Sequence, residues 1–437
     1  MFRPVVCVII AAGFSVSLAA QQPDIPPQAQ TPADNAGIPT TLMRPMERAN
    51  YINIFGFANG ITDSVDAGPA FTGANTGTAF EGGGGITANH DFRTGTFSLG
   101  YTGDYRTQAN PQFPKGTQQT VNVLFRKLLT RRWTLSVQEN AGIYPLGNPF
   151  LQPGVTTQSG GIQTTSFATQ TKFSGSTVSV AYQKSRRLSY EFTGTLTVLR
   201  YNSPFSYGNQ SIGGSGSVLY RLNRSTTVSG TYQYSSFLYE NNAGTASSNT
   251  GYLSLSQTLA RHWTLGISGG ATHTNASGTA EVPVGVQIGS VVIPVLVLQH
   301  YSQATNLPYA QGSVSYNLRR TVWSVSGGES VVPGNGFFLA SRSIGVSGVF
   351  SYNWRRSNIS AGGFYSRLTS IAYASSNKVN TADFQISYAT NLTRYLGTNV
   401  RYEHVDYGNI GIYSARSDNR VTFGLYLSSK SIPLAIF

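Results

Sequence analysis

Cysteine is almost absent from this sequence, and its only copy, Cys7, lies within the first twenty residues. Those residues combine a basic start at Arg3, an apolar core of 14 residues and small residues before Ala20. This pattern is typical of an export signal, residues 1–19, that is cleaved after Ala19. The mature chain would then lack disulfides, a cysteine nucleophile and thiolate metal ligands.

Long apolar runs and charged residues are also scarce. No later segment is apolar and uninterrupted for 18 residues, so the sequence predicts no transmembrane helix in the mature chain. Charged residues make up 11% of the chain, and its 48 glycines disfavour a helical protein. The 25 Tyr and 23 Phe indicate a β-rich fold and are too many for a disordered chain.

Residues 20–49 are rich in proline and poor in aromatic residues. The sequence therefore predicts an extended linker between the export signal and the folded region, residues 50–437. This tail is also the candidate contact for a partner in the periplasm.

A short pattern, Tyr followed four residues later by Arg, recurs along the folded region. Its four copies are Tyr182–Arg186, Tyr220–Arg224, Tyr316–Arg320 and Tyr352–Arg356, with looser relatives at His90, Trp133, Trp263 and Tyr388. Successive Tyr positions from Tyr182 to Tyr388 are 38, 96, 36 and 36 residues apart, and the widest gap contains the copy at Arg261. A period of this length indicates a repeated supersecondary unit.

Each basic segment is flanked by residues that alternate between apolar and polar. Before one of them, Phe384, Ile386 and Tyr388 alternate with Asp383, Gln385 and Ser387. Period two over about ten residues predicts a strand with one apolar and one polar face. The unit is therefore expected to be a strand, a tight basic turn, a second strand and a longer polar loop.

Two closed architectures could use such hairpins, a soluble sandwich or propeller and a transmembrane barrel. Strands of about ten residues, alternating short and long connections, and aromatic residues at the strand ends favour the barrel. The aromatic residues expected to form a girdle at the membrane interface are Trp133, Tyr182, Tyr220, Trp263, Tyr316, Tyr352, Tyr388 and Tyr395.

From Tyr51 to the C-terminus the chain resembles the Gram-negative outer-membrane β-barrels, and it is porin-like in size. The resemblance is one of architecture and implies an outer-membrane location, contact with outer-membrane lipid and insertion by the barrel-assembly machinery. Members of this class often end in an alternating aromatic strand with a terminal Phe. Here Val421, Phe423, Leu425 and Leu427 alternate and the chain ends in Phe437, but Pro433 interrupts the last strand.

The fold class predicted is all-β, an up-and-down antiparallel barrel of about 18 strands, with 16 to 20 allowed. Short turns are expected near residues 92, 130, 185, 223, 261, 319, 355 and 393. Two segments leave the count open. Residues 281–299 contain Pro283 and Pro294, which favour a loop hairpin over two wall strands. Glu139 shares the apolar face of its strand, so a bulge or a strand end at Gln138 is expected there.

Positive charge is concentrated at the short turns in a chain of net charge +13. One interpretation is that these residues bind lipid headgroups, and the other is that they make the periplasmic mouth mildly selective for anions. Nucleic-acid binding is not expected, because the charge is spread over many turns. The turn residues are Arg131, Arg132, Arg186, Arg187, Arg224, Arg261, Arg319, Arg320, Arg355, Arg356 and Arg394.

The polar face of the strands contains mostly Ser, Thr, Asn, Gln and Gly, which is typical of a water-filled lumen. The charged candidates for its lining are Arg126, Glu191, Asp383, Arg401 and Glu403, which could alternatively pair with one another as structure. No catalytic, cofactor or metal site is predicted. The five histidines lack ligand spacing, Gly82–Gly85 precede no helix, and His404–Asp406 is a weak candidate for a catalytic dyad.

Two functions remain open at this point. A strand count of 18 and a polar lumen predict a passive channel for small hydrophilic solutes. The alternative is a barrel of an envelope system that exports a surface polysaccharide or acts as a receptor or scaffold. The Pro-rich tail and the long connections expected at 142–172 and 274–308 favour this alternative.

Overall fold

The computed structural model describes residues 50–66, 76–107, 115–144, 171–202, 208–240, 243–288, 291–332, 340–371, 378–408, 416–429 and 432–433. The predicted export signal and linker, residues 1–49, lie outside the described residues. Within the described part, no helix is long and apolar enough to cross a membrane.

The fold consists of antiparallel strands in simple sequence order. They are β1 (Tyr51–Asp66), β2 (Thr76–Phe92), β3 (Gly95–Arg106), β4 (Gly116–Leu128), β5 (Trp133–Tyr144), β6 (Thr171–Gln183), β7 (Leu188–Tyr201), β8 (Asn209–Arg221), β9 (Thr226–Tyr239), β10 (Gly244–Ala260), β11 (Trp263–Ile288), β12 (Val291–Asn317), β13 (Thr321–Val332), β14 (Ser341–Asn353), β15 (Ser357–Ser370), β16 (Lys378–Asn391), β17 (Leu396–Tyr407), β18 (Arg416–Ser428) and the two-residue β19 (Ile432–Pro433).

The sheet closes on itself between its first and last long strands. Gly60 of β1 is opposite Phe80 of β2 on one side and opposite Phe423 of β18 on the other. Because every long strand pairs with both chain neighbours, the wall is a closed barrel of 18 strands, as predicted. The short β19 pairs with Tyr51–Ile52 of β1, so the interruption expected at Pro433 takes the form of a brief second contact with the same strand.

Most large apolar side chains face away from the barrel interior. In β18, Phe423 is 57% exposed on the outside, whereas Thr422 beside it is 6% exposed and faces inward. Val421, Leu425 and Leu427 are exposed on the same outer face as Phe423. A water-soluble protein would bury these residues, so the reversed pattern is that of a barrel surrounded by lipid.

Short turns join the strands at one end of the barrel, here called the short-turn end. They occupy residues 93–94, 129–132, 184–187, 222–225, 261–262, 318–320, 354–356 and 392–395, close to the eight predicted positions. In four turns a side-chain oxygen accepts a backbone N–H two residues ahead, and the acceptors are those of Thr130, Ser185, Asn223 and Thr393. These polar residues close the turn from within and leave the adjacent arginines exposed.

The β11–β12 hairpin extends beyond the wall at the opposite end, here called the long-loop end. Its pairing continues to Ile288 and Val291, although β10 leaves β11 at Gly278 and β13 leaves β12 at Ala310. Residues 281–299 therefore add no strand to the wall, as predicted. The long connection expected at 274–308 takes the form of this paired hairpin in its described residues. Of the other expected loop, 145–170 lie outside the described residues.

The prediction of a bulge or a strand end near Glu139 is wrong. β5 continues from Trp133 through Glu139 to Tyr144 without a bulge, and Glu139 lies on the outer face. The Ser176 hydroxyl of the adjacent strand donates a hydrogen bond to its carboxylate. This contact compensates part of the cost of a carboxylate near lipid, which is lower for Glu than for Arg or Lys.

Glycines in β2 allow close packing on the inner face of the first three strands. The ring of Phe55 packs over Gly85, and a Cβ at Gly85 would approach its Cζ to 2.6 Å. A Cβ at Gly83 would lie 2.6 Å from the Cβ of Asp104. The segment Gly82–Gly85 is thus a strand segment, as expected.

Candidate functional site: the charged wall of the lumen

The inner face of the barrel has two chemically different parts. From β6 to β13 it consists mainly of small hydroxyl side chains that hydrogen-bond across strands. The oxygens of Ser217 and Thr231 are 2.9 Å apart, and those of Thr250 and Thr272 are 3.0 Å apart. The charged residues that the described strands place on this face are Glu191 and Arg221, both near the short-turn end. This part is here called the hydroxyl wall.

The second part, here called the charged wall, spans β16, β17, β18, β1, β2 and β3. Strand register brings its charges together, because Arg420 is opposite Asp63 on one side and Glu403 on the other. Glu81 is similarly opposite Arg106. The inward-facing charged residues in this part are Asp63, Glu81, Asp91, Asp104, Arg106, Asp383, Arg401, Glu403, Asp418 and Arg420.

Asp63 is the centre of the ion-pair network in the charged wall. Its carboxylate contacts the guanidinium of Arg106 and accepts a hydrogen bond from Nε of Arg420 at 2.7 Å. Asp63 is only 1% exposed, so the first strand is joined to β3 and β18 by ion pairs that are shielded from water. Because a buried ion pair is little screened, loss of one partner is costly.

Glu403 connects the two arginines at the β17 side of the network. Its Oε2 lies 3.4 Å from Nη2 of Arg401 and 3.7 Å from Nη1 of Arg420. Asp383 lies on the neighbouring strand β16 and is 5% exposed, yet neither carboxylate oxygen has a hydrogen-bond partner among the described residues. The charged wall therefore contains both compensated charges and one carboxyl group that the described residues leave without a partner.

On β11 the inward-facing side chains are more deeply buried toward the long-loop end. On β11, Thr272 and Thr274 are almost completely buried, whereas Ser268, nearer the short turns, is half-buried. An apolar cluster lies at the same end and joins Phe237 and Tyr239 of β9 to Ala340 and Ile371 at the ends of β14 and β15. The inward-facing residues of β9 and β11 are therefore closely packed at the long-loop end.

The five lumen candidates from the sequence all lie on the inner face. Asp383, Arg401 and Glu403 come together in the charged wall. Arg126 and Glu191 lie apart from them, near the short-turn end of β4 and β7.

Sequence reasoning missed Asp63, Glu81, Asp91, Asp104, Arg106, Asp418 and Arg420. For Arg420 a signal was present, because it immediately precedes the outward-facing Val421 and must therefore face inward. The glycines of β2 and the inward-facing Phe55 and Phe57 of β1 hide the alternation in the first strands.

The predicted aromatic residues lie on the outer face near the short-turn end. Trp133 and Tyr182 have ring centroids 4.6 Å apart, and the centroid of Trp263 is 5.2 Å from that of Tyr316. Trp323 extends the second group, with a perpendicular ring 5.1 Å from Trp263. The remaining predicted members, on the outer face or at its edge, are Tyr220, Tyr352, Tyr388 and Tyr395.

His404 lies on the outer face near the long-loop end. Its Nδ1 is 2.8 Å from the side-chain oxygen of Asn419, and its Nε2 is 3.0 Å from the carboxylate of Asp406. The His–Asp contact considered from the sequence is thus formed, but both ring nitrogens are engaged and neither faces the lumen. Among the described residues, no group of three His, Cys, Asp or Glu side chains could hold a metal ion.

The closed sheet, the outward apolar face and the polar interior define the class of protein, a membrane-spanning antiparallel β-barrel of 18 strands. No protein-family model and no curated protein sequence matches the chain.

Solved structures of similar architecture include the following three. The BenF-like porin of Pseudomonas fluorescens Pf-5 has 11% identity and a TM-score of 0.43, with 87% of this chain and 99% of that one covered. OpdK of Pseudomonas aeruginosa has 12% identity and a TM-score of 0.41, covering 86% and 99%. OccAB4 of Acinetobacter baumannii has 10% identity and a TM-score of 0.40, covering 87% and 99%. At this sequence identity and these TM-scores, the likeness concerns the architecture alone.

Proposed function

We propose that this protein is an outer-membrane β-barrel that forms a water-filled channel for passive diffusion of small hydrophilic solutes. The observation that carries the proposal is the combination of an outward apolar face with a polar inner face in a closed wall of 18 strands. Barrels of 16 to 18 strands are wide enough to leave an aqueous channel. The export signal predicted at residues 1–19 supports the location.

Solutes would pass between the hydroxyl wall and the charged wall. The hydroxyl wall offers neutral hydrogen-bonding groups, which suit uncharged polar solutes. The charged wall contributes fixed charges to the lining of the lumen, and such charges tune the selectivity of pores. Arg126 and Glu191 would add single charges closer to the short-turn mouth.

The direct test is conductance of the purified, folded protein in planar lipid bilayers. We expect stepwise current increases as single barrels insert, and swelling of protein-containing liposomes in small sugars. Heat-denatured protein from the same preparation is the matched control and should remain silent. Folded preparations without any conductance would contradict the channel and favour the alternative, a barrel for polysaccharide export or a receptor or scaffold.

The mild anion preference expected from the turn arginines stays a prediction. It is opposed by the charged wall, in which carboxyl groups outnumber arginines. The reversal potential in a salt gradient measures which group dominates. Insertion by the barrel-assembly machinery and a periplasmic partner for residues 20–49 likewise stay predictions, which depletion of the machinery and affinity capture with the tail would test.

A further inference from the structure

Arginine occurs in every one of the eight short turns. Arg93 in the first turn joins the eleven turn residues predicted from the sequence, and together they form what is here called the arginine ring. All twelve side chains are exposed, and none forms an ion pair with a described residue. The ring is thus a continuous band of uncompensated positive charge around one end of the barrel.

Negative charge near this band is confined to the interior of the barrel. Asp91 and Glu191 are the acidic residues in the described part of the short-turn end, and strand register puts both on the inner face. The outer side of the band is therefore basic only. Exposed arginines in this situation attract an anionic partner from outside the chain.

The aromatic girdle fixes the level of the band relative to a membrane. Trp and Tyr side chains prefer the boundary between hydrocarbon and headgroups. The pairs Trp133–Tyr182 and Trp263–Tyr316 lie at the first residues beyond the turns, so the arginines themselves lie at headgroup depth. At Arg394 the guanidinium carbon lies 5.8 Å from the ring centroid of Tyr395, which combines both groups in one turn.

We propose that the arginine ring binds the phosphate groups of anionic phospholipids in the leaflet at the short-turn end. A guanidinium matches a phosphate with two parallel hydrogen bonds, which a single ammonium cannot form. The partner must also surround the barrel, because the arginines are distributed over all eight turns. A lipid leaflet has this annular shape, whereas a single protein or nucleic acid would contact only a sector.

The test uses the full-length protein in detergent micelles and counts bound lipids by native mass spectrometry. Phosphatidylglycerol is the anionic probe and phosphatidylcholine the neutral reference. In the variant Arg186→Gln, Arg187→Gln, Arg319→Gln, Arg320→Gln, Arg355→Gln and Arg356→Gln we expect the affinity for phosphatidylglycerol to fall about tenfold or more. Binding of phosphatidylcholine should stay unchanged. The six corresponding Lys substitutions keep the charge but lose the paired hydrogen bonds, so they should retain only part of the affinity.

The matched control removes exposed positive charge from the long-loop end by changing Lys115, Lys172, Arg367 and Lys378 to Gln. This variant should bind phosphatidylglycerol nearly as the unchanged protein does. An equal loss in both variants, or no loss in the ring variant, would overturn the proposal. If the sixfold variant does not fold, Arg355→Gln with Arg356→Gln is compared with the control, and about a twofold weaker affinity is expected.

Discussion

The charged wall and the arginine ring contain most of the charge in the described barrel, and they hold it in opposite ways. Asp63, Arg106 and Arg420 are shielded from water and contact one another directly. Arg355 and Arg356 are exposed and lack an acidic partner among the described residues. Charges exposed to salt solution are screened within about 8 Å, whereas shielded pairs are screened much less. Substitutions in the charged wall should therefore have larger effects on stability than substitutions in the arginine ring.

The largest effect is expected for Asp63→Asn. The substitution leaves Arg106 and Arg420 near each other without the carboxylate that both contact, so the free energy of unfolding should fall by about 3–5 kcal/mol. Urea denaturation, followed by the shift between folded and unfolded bands in gel electrophoresis, measures this. Asp406→Asn, at an exposed carboxylate outside the network, is the control and should change little. Equal stability of the two variants would mean that the ion-pair network makes no net contribution to the free energy of unfolding.

A second, smaller effect is expected for Gly83→Ala in the charged wall. The new methyl group would lie 2.6 Å from the Cβ of Asp104 and close to the carbonyl of Gly103, so the strands must separate locally. We expect a loss of roughly 1–3 kcal/mol in the same denaturation experiment. Gly194→Ala is the matched control, because a methyl group at that position would have no other atom within 4 Å. A neutral Gly83→Ala would contradict the close packing of β2 and β3.

The architecture was predictable because several strands carry three or more apolar residues in succession on the outward face. Val421, Phe423, Leu425 and Leu427 show the period of two directly, and the basic turns mark the strand ends. The charged wall was only partly predictable for the opposite reason. In β2 the glycines leave no alternation to detect, and in β1 Phe55 and Phe57 face inward, which reverses the usual pattern.

Glu139 and the β11–β12 hairpin show a second limit of sequence reasoning. A carboxylate on the apolar face suggested a broken strand, but the hydroxyl of Ser176 on the adjacent strand supplies a partner that the local sequence does not reveal. In the hairpin, the prolines correctly excluded wall strands. They did not exclude pairing, because a hairpin beyond the wall has free edges that tolerate a missing N–H.

An effect on transport is expected for Asp383→Asn. An ionised carboxylate on the inner face attracts cations, so its removal should shift the ratio of cation to anion permeability toward anions. A unit charge at about 4 Å in a water-like dielectric is worth about 1 kcal/mol, which limits the change to about fivefold. The reversal potential in a potassium chloride gradient measures the ratio, with Asp406→Asn as the control. An unchanged ratio would mean that this carboxyl group does not contribute to the ion selectivity of the channel.

The smallest effect on selectivity is expected for the sixfold Gln variant of the arginine ring. Its charges lie in headgroups and water, so the reversal potential should move only slightly toward cation preference, and most at low ionic strength, where the screening length is about 30 Å at 0.01 M. The same variant should lose thermal stability in vesicles that contain phosphatidylglycerol, since its lipid contacts are gone. A large shift of the reversal potential with unchanged stability would exchange the roles assigned to the arginine ring and the charged wall. The ring would then control ion entry, and the charged wall would serve mainly to hold β1, β3 and β18 together.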